Sequence, residues 1–387
     1  MDYSRILSST VQDIKPSGIR KFFDLLENMQ GVVALTVGQP DFITPWHIRV
    51  AAIESLENGK TYYTSNSGTL ELRQEISSYM NRRYDLTYDP KSEVIVTVGG
   101  SEAIDIAIRA LINPGDEVIV PQPAFVCYGP ICELAGGKPV YLNTKEENKF
   151  KLTAEELKSV ITDKTKLLVL PYPNNPTGAI MTREDLEEIA DVLRGTDIMI
   201  LSDEIYCELT YGREHVSIAS LDGMRERTII ASGFSKTYAM TGWRLGYTLA
   251  PPEITKQMLK IHQYAIMCAP TTSQYAAVEA MRNGDPDVAM MRKEYNRRRR
   301  YIVGGLRSIG IECFDPEGAF YVYPNISKFG LTSEEFCERL LQEEKVAIVP
   351  GTAFGDCGEG FARISYAYSV EHIAKALDRM ERFVKKL

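Results

Sequence analysis

Seven short runs rich in β-branched and other apolar residues punctuate the middle of the chain, at 94–98, 118–120, 139–142, 167–170, 198–201, 228–231 and 245–249. Most are separated by stretches with helical spacing, such as Ile104, Ala107, Ile108 and Leu111 at i, i+3, i+4 and i+7. A parallel connection has to cross over the sheet, and a helix covers the face it crosses, so this alternation predicts a mainly parallel seven-stranded sheet between helices, an α/β fold. Residues 253–282 read as one long helical region. Beyond Gly284-Asp285-Pro286 the pattern changes to helix, strand pair near 311–323, helix, strand and helix, which predicts a smaller α+β domain over 284–387. Its last segment carries Ile373, Leu377, Met380, Val384 and Leu387 on one stripe, a docked terminal helix.

With 387 residues the chain is long enough for two domains at roughly 100 to 200 residues each. Its 44% apolar and 25% charged residues exclude disorder, collagen and coiled coil. Lys plus Arg number 44 against 52 Asp plus Glu, a net charge of −8, which argues against general affinity for nucleic acid or anionic membrane and favours small-molecule partners. The basic run Arg297 to Arg300 reads as a solvated helix face. No apolar run reaches the roughly 18 to 20 residues of a membrane span, and the opening stretch lacks an apolar signal-peptide centre, so a cytoplasmic protein is expected. Seven scattered cysteines without a Cys-x-x-Cys pair read as small core residues in a reducing compartment, and four histidines at 47, 215, 262 and 372 lack the spacing of a metal site. No phosphate-binding Gly-x-x-x-x-Gly-Lys-Ser/Thr loop and no Gly-x-Gly-x-x-Gly turn occurs.

Ligands of open α/β sheets gather at the carboxyl ends of strands, so polar residues just after the apolar runs are the candidates. After 94–98 come Gly99, Gly100, Ser101 and Glu102, opening a helix whose free amides suit a phosphate. After 167–170 comes Asn174-Asn175-Pro176-Thr177-Gly178, a sharp turn that offers the Asn175 amide. After 198–201 come Ser202, Asp203, Glu204, Ile205 and Tyr206, a carboxylate and then a phenol. After 228–231 come Ser232, Gly233, Phe234, Ser235 and Lys236, with Arg244 eight residues on, just before the last run.

Taken together and in this order, these segments resemble the class I/II aminotransferases, a family of fold-type I pyridoxal-phosphate enzymes. The resemblance runs from Gly38-Gln39-Pro40-Asp41-Phe42 to Arg363-Ile364-Ser365 and is most specific at 174–178, 202–206 and 235–246. It implies a large cofactor-binding domain over 47–283, an N-terminal arm with part of the small domain over 1–46, and pyridoxal 5'-phosphate as cofactor. Lys236 would form the Schiff base with the cofactor aldehyde and then serve as the base of a proton shift. Asp203 would pair with the ring nitrogen, Tyr206 and Asn175 would donate to the ring oxygen, and Phe125 would stack on the ring. Arg244, Ser235 and the amides of Gly100, Ser101 and Glu102 would hold the phosphate, joined by Tyr63 from a neighbouring subunit, which implies a homodimer. Gly233 stands where relatives often carry a phosphate-binding serine. Arg363 would clamp the substrate α-carboxylate with the Gly38 backbone and Asn175 beside it, while Arg109 stays without a defined part in side-chain recognition.

The expected activity is ping-pong transfer of an amino group between an L-amino acid and a 2-oxo acid, with glutamate and 2-oxoglutarate as one pair. The subgroup most resembled is that of aromatic, aspartate and N-acetyl-diaminopimelate aminotransferases. β-Elimination of the cystathionine lyase kind starts from the same carbanion and is the alternative. A non-catalytic regulator on this fold would lack Lys236 or carry a DNA-binding module, and neither feature is present in the sequence.

Overall fold

A computed structural model describes residues 1, 3–16, 18 and 29–387. Its central sheet has seven strands: β1 (Val94–Thr97), β2 (Glu117–Gln122), β3 (Lys138–Asn143), β4 (Thr165–Leu170), β5 (Met199–Asp203), β6 (Thr228–Gly233) and β7 (Gly246–Leu249). They lie in the order β1-β7-β6-β5-β4-β2-β3. The pairs among β2 to β6 are parallel, whereas β7 runs antiparallel to both of its neighbours, β1 and β6. The single reversal has a positional consequence. The start of β7, just after Arg244, lies at the same end of the sheet as the finishes of β1 and β6.

Both faces of the sheet are covered, and the two-residue period of a strand sorts its side chains between them. Val94 and Val96 join a cluster with Ile48, Leu72, Ile76 and Ile230, while Ile95 joins the opposite one with Ile104, Ile108, Ile229 and Met258. The expected helical region 253–282 is two helices, Pro252–Ala265 and Thr271–Asn283. Met267 has a positive φ of 75° and Pro270 caps the second helix, so the stretch between them leaves helical geometry.

The C-terminal part builds its own core around Ile302, Leu306, Phe336, Ile364 and Leu377. It recruits Val33–Ala34 from the N-terminal stretch, which pairs in parallel with Val346–Ala347. The expected strand pair near 311–323 is rearranged: Glu312–Cys313 pairs with Pro324–Asn325, and Tyr321–Val322 pairs with Ala362–Ser365. In the last helix, Val370–Val384, Ile373, Ala376, Leu377, Met380 and Phe383 are buried, but Leu387 lies beyond the helix and is exposed. The basic run on the helix Asp285–Ser308 is not wholly solvated. Arg298 is buried, bonds Asp41 at 2.7 Å and Glu294 at 2.9 Å, and lies against the rings of Phe42 and Tyr295. Among the described residues no helix is long and apolar enough to cross a membrane.

Three glycines allow the strand ends to meet. Gly246 sits opposite Thr97 on one side and Gly233 on the other. A Cβ on Gly246 would lie 2.6 Å from the Gly99 carbonyl carbon, and one on Gly233 would lie 2.9 Å from the Gly246 Cα. These are backbone atoms, which cannot swing aside. Gly246→Ala is therefore expected to destabilise the protein by roughly 1–3 kcal/mol, as overpacked sites do, measured as a lower urea midpoint. An unchanged midpoint would mean that β1 and β7 separate freely.

Candidate active site

The finishes of β1, β4, β5 and β6 and the start of β7 open onto one cavity of about 290 Å³. Asp203, the last residue of β5, lies at its wall, and Tyr206 follows in the next turn. Lys236 stands on the short helical turn Phe234–Thr237 that β6 runs into, with Ser235 beside it. Gly100 and Ser101 come from the first turn of the helix Gly99–Leu111, Phe125 from the loop after β2, and Asn175 from the loop after β4. Arg244, Gly38 and Arg363 complete the lining. Residues spread over more than 300 positions thus share one space.

Three cations, Lys236, Arg244 and Arg363, line this cavity against a single carboxylate, Asp203. Burial, aided by repulsion from Arg244 and then Arg363, pulls the Lys236 amine down to about 8, with Asp203 opposing. The amine donates to the Gly38 carbonyl at 2.6 Å. Burial also raises the Asp203 carboxyl above its ordinary range, opposed by the Tyr128 hydroxyl, which donates to Oδ2 at 2.7 Å, and by the Ile205 amide. A cationic partner for Asp203, such as a protonated ring nitrogen, would offset that desolvation.

At the other end, Gly99 has a φ of +76°, and a Cβ there would meet the Arg244 guanidinium at 2.6 Å. Arg244 therefore lies directly over the amino end of a helix. Two positive features in such proximity call for an anion, and a phosphate with its several acceptor oxygens suits both the fork and the free amides. Arg363 is buried between the rings of Tyr321 and Phe354. Its Nη1 donates to Asn175 Oδ1 at 3.0 Å and its Nη2 to the Thr36 carbonyl at 2.6 Å, while Nε is buried without a partner. Such a guanidinium fits a carboxylate. The residues present thus fit pyridoxal phosphate together with an amino acid.

Two expected residues, Glu102 and Tyr63, lie apart from the cavity, as does Arg109. The Glu102 side chain turns back to the Val98 amide at 2.5 Å and to His262. Tyr63 is 78% exposed, and Arg109 is half-exposed and paired with Asp105 at 2.9 Å. Sequence reasoning missed Tyr128 and Tyr321. Tyr128 lies three residues after Phe125 at the start of the helix Tyr128–Leu134, a position that the end of β2 could have suggested. Tyr321 has no such signal: it arrives from the C-terminal part, and its hydroxyl lies 2.8 Å from that of Tyr206. Gly233 is explained by packing, since a side chain there would strike β7.

The Lys236 environment has a measurable consequence. In cofactor-free protein the amine attacks an added aldehyde only when neutral, so the rate is expected to rise as pH passes about 8 and not 10.5. Arg244→Gln removes a repelling cation and is expected to move this midpoint upward. Pyridoxal addition followed by absorbance across pH checks both, and a wild-type midpoint near 10.5 would refute the electrostatic account.

Comparison with known proteins agrees with this geometry. The family described as aminotransferase class I and II matches residues 30–380. The chain is 54% identical over 380 residues to the putative aminotransferase YugH of Bacillus subtilis (strain 168), covering 98% of each. It is 46% identical over 381 residues to the probable N-acetyl-LL-diaminopimelate aminotransferase of the same organism, covering 98% of this chain and 96% of that one. Among solved structures, aspartate aminotransferase from Thermus thermophilus with maleate superposes with a TM-score of 0.92 at 40% identity, over 97% of this chain and 99% of the other. Transamination is the activity these relatives support, and β-elimination is not favoured. The chain belongs to the class I and II aminotransferases, and it is accordingly a pyridoxal-phosphate-dependent enzyme of fold type I that acts on amino acids and 2-oxo acids.

Proposed function

We propose that this aminotransferase uses glutamate and 2-oxoglutarate as one of its substrate pairs and works as a cytoplasmic homodimer, with the residues of the cavity in the following roles. The observation that carries the assignment of roles is the lysine lowered to about 8 in the same cavity as a buried guanidinium with a partnerless Nε. Arg244, Ser235 and the amides of Gly100 and Ser101 would hold the cofactor phosphate. Asp203 would face the ring nitrogen, Tyr206 and Asn175 the ring oxygen, and Phe125 the ring face. When bound, the cofactor supplies an aldehyde for amine exchange and an electron sink for bond breaking at the substrate Cα.

The protein's own part is to orient and to move a proton. Arg363 presents a planar fork to the α-carboxylate, which fixes the direction of the Cα–H bond. Lys236, pulled down to about 8 and so carrying a usable neutral fraction once free, would take that proton at Nζ and return it, with its charge tuned by Asp203 on one side and two arginines on the other. Tyr128 donates to Asp203 and keeps that carboxylate aligned.

A second copy of the chain is supported by surface chemistry. Tyr62, Tyr63, Tyr264 and Met267 are exposed, and two hydrogen bonds, Thr271 Oγ1 to the Tyr62 carbonyl and Asn66 Nδ2 to the Met267 carbonyl, draw their loops together. A patch of this kind suits an interface, and Tyr63 within it would reach the neighbour's cofactor phosphate. The unpaired cysteines suit a reducing compartment.

The direct test follows the visible band of the cofactor-loaded enzyme while glutamate and then a panel of 2-oxo acids are added. Bleaching by glutamate and recovery with a 2-oxo acid are expected, whereas an unchanged band would reject the glutamate pair. In the same assay Arg363→Lys is expected to raise the amino-acid KM roughly 10- to 100-fold, since an ammonium cannot make the bidentate fork. An unchanged KM would move the clamp elsewhere. Sedimentation is expected to give twice the chain mass, and a fully active monomer would overturn the dimer.

A further inference from the structure

His262 lies on the helix Pro252–Ala265, packed against the helix Gly99–Leu111, and is completely buried. Its Nδ1 is 2.6 Å from Glu102 Oε1. The other Glu102 oxygen, Oε2, accepts from the Val98 amide at 2.5 Å. A carboxylate can only accept, so with Glu102 as carboxylate the proton of the contact with His262 lies on Nδ1. The second ring nitrogen, Nε2, is buried without a partner. A fully buried imidazole with half of its hydrogen-bonding capacity unmet is costly, so the bond it does make has to matter.

Glu102 is the anionic side chain in the first turn of this helix, and Val98, at the capping position, makes no side-chain cap. A carboxylate in a first turn is drawn to the free amides, and here those amides are the ones read as holding the cofactor phosphate. Left unrestrained, Glu102 would compete for them and repel the incoming anion. His262 holds the carboxylate to the side, where its remaining acceptor fixes Val98, the residue before the left-handed Gly99. We infer that His262 is a positioning residue for the cofactor phosphate: by holding Glu102 it keeps the amides of Gly100 and Ser101 open and the Gly99 turn in shape. This rests on the reading above that the phosphate sits at this helix end under Arg244.

The test compares binding of pyridoxal phosphate and of pyridoxal, which lacks the phosphate, to cofactor-free protein, by absorbance. An Asn side chain can put an amide N–H near the place of Nδ1, whereas Gln carries its amide too far. His262→Leu and His262→Gln are expected to weaken pyridoxal phosphate roughly tenfold or more, with pyridoxal changed by less than about twofold, and His262→Asn to restore most of the loss. If His262→Leu fails to fold, the Asn and Gln variants decide. Equal losses for both ligands, or no loss for either, would overturn the proposal. Arg244→Gln serves as the control. A phosphate-selective loss there with none at His262 removes only the positioning role, while no selective loss at Arg244 removes the phosphate reading and the inference with it.

Discussion

Close approach of three strand ends is the constraint on which the rest of this protein depends. Gly233, Gly246 and Gly99 leave no side chain between β6, β7 and the turn after β1, and that absence brings a helix amino end, an arginine and a lysine into one small volume. Because β7 is antiparallel to both neighbours, Arg244 precedes its strand where Lys236 and Gly99 follow theirs. With β7 reversed into a parallel strand, Arg244 would open at the far end of the sheet and the concentration of positive charge would be lost.

That concentration explains the chemistry of the lysine. An amine buried beside two guanidinium groups loses its proton more readily than one in water, while the single carboxylate, Asp203, limits how far the shift goes. The same burial works against Asp203, whose charge is supported by the Tyr128 hydroxyl and the Ile205 amide. The cavity thus carries an excess of positive charge and one desolvated carboxylate, for which an anion and a cation are the complementary partners.

The C-terminal part closes the other half of the site. Arg363 on the strand Ala362–Ser365 reaches Asn175 from the loop after β4 and the Thr36 carbonyl from the N-terminal stretch, while Lys236 bonds the Gly38 carbonyl. The pair of the buried Arg298 with Asp41 fastens the segment after Gly38 to the long helix Asp285–Ser308. Arg363, Lys236 and the N-terminal stretch are thus connected by direct hydrogen bonds.

Much was legible in the sequence alone. The strand runs and the polar residues that follow them were local facts: apolar alternation marks a strand, and Asp203, Lys236 and Gly99 sit next to it in the chain, so their arrival at one sheet edge follows from the parallel topology. The motifs at 174–178, 202–206 and 235–246 carried the family. Tertiary structure alone decided what depends on distant segments meeting: the break at 266–270, the burial of Arg298 by Asp41, the contact of Tyr321 with Tyr206, and the pairing of His262 with Glu102, 160 residues apart. No periodicity or spacing records such contacts, because each is set by how two independently formed elements pack and not by the residues beside it in the chain.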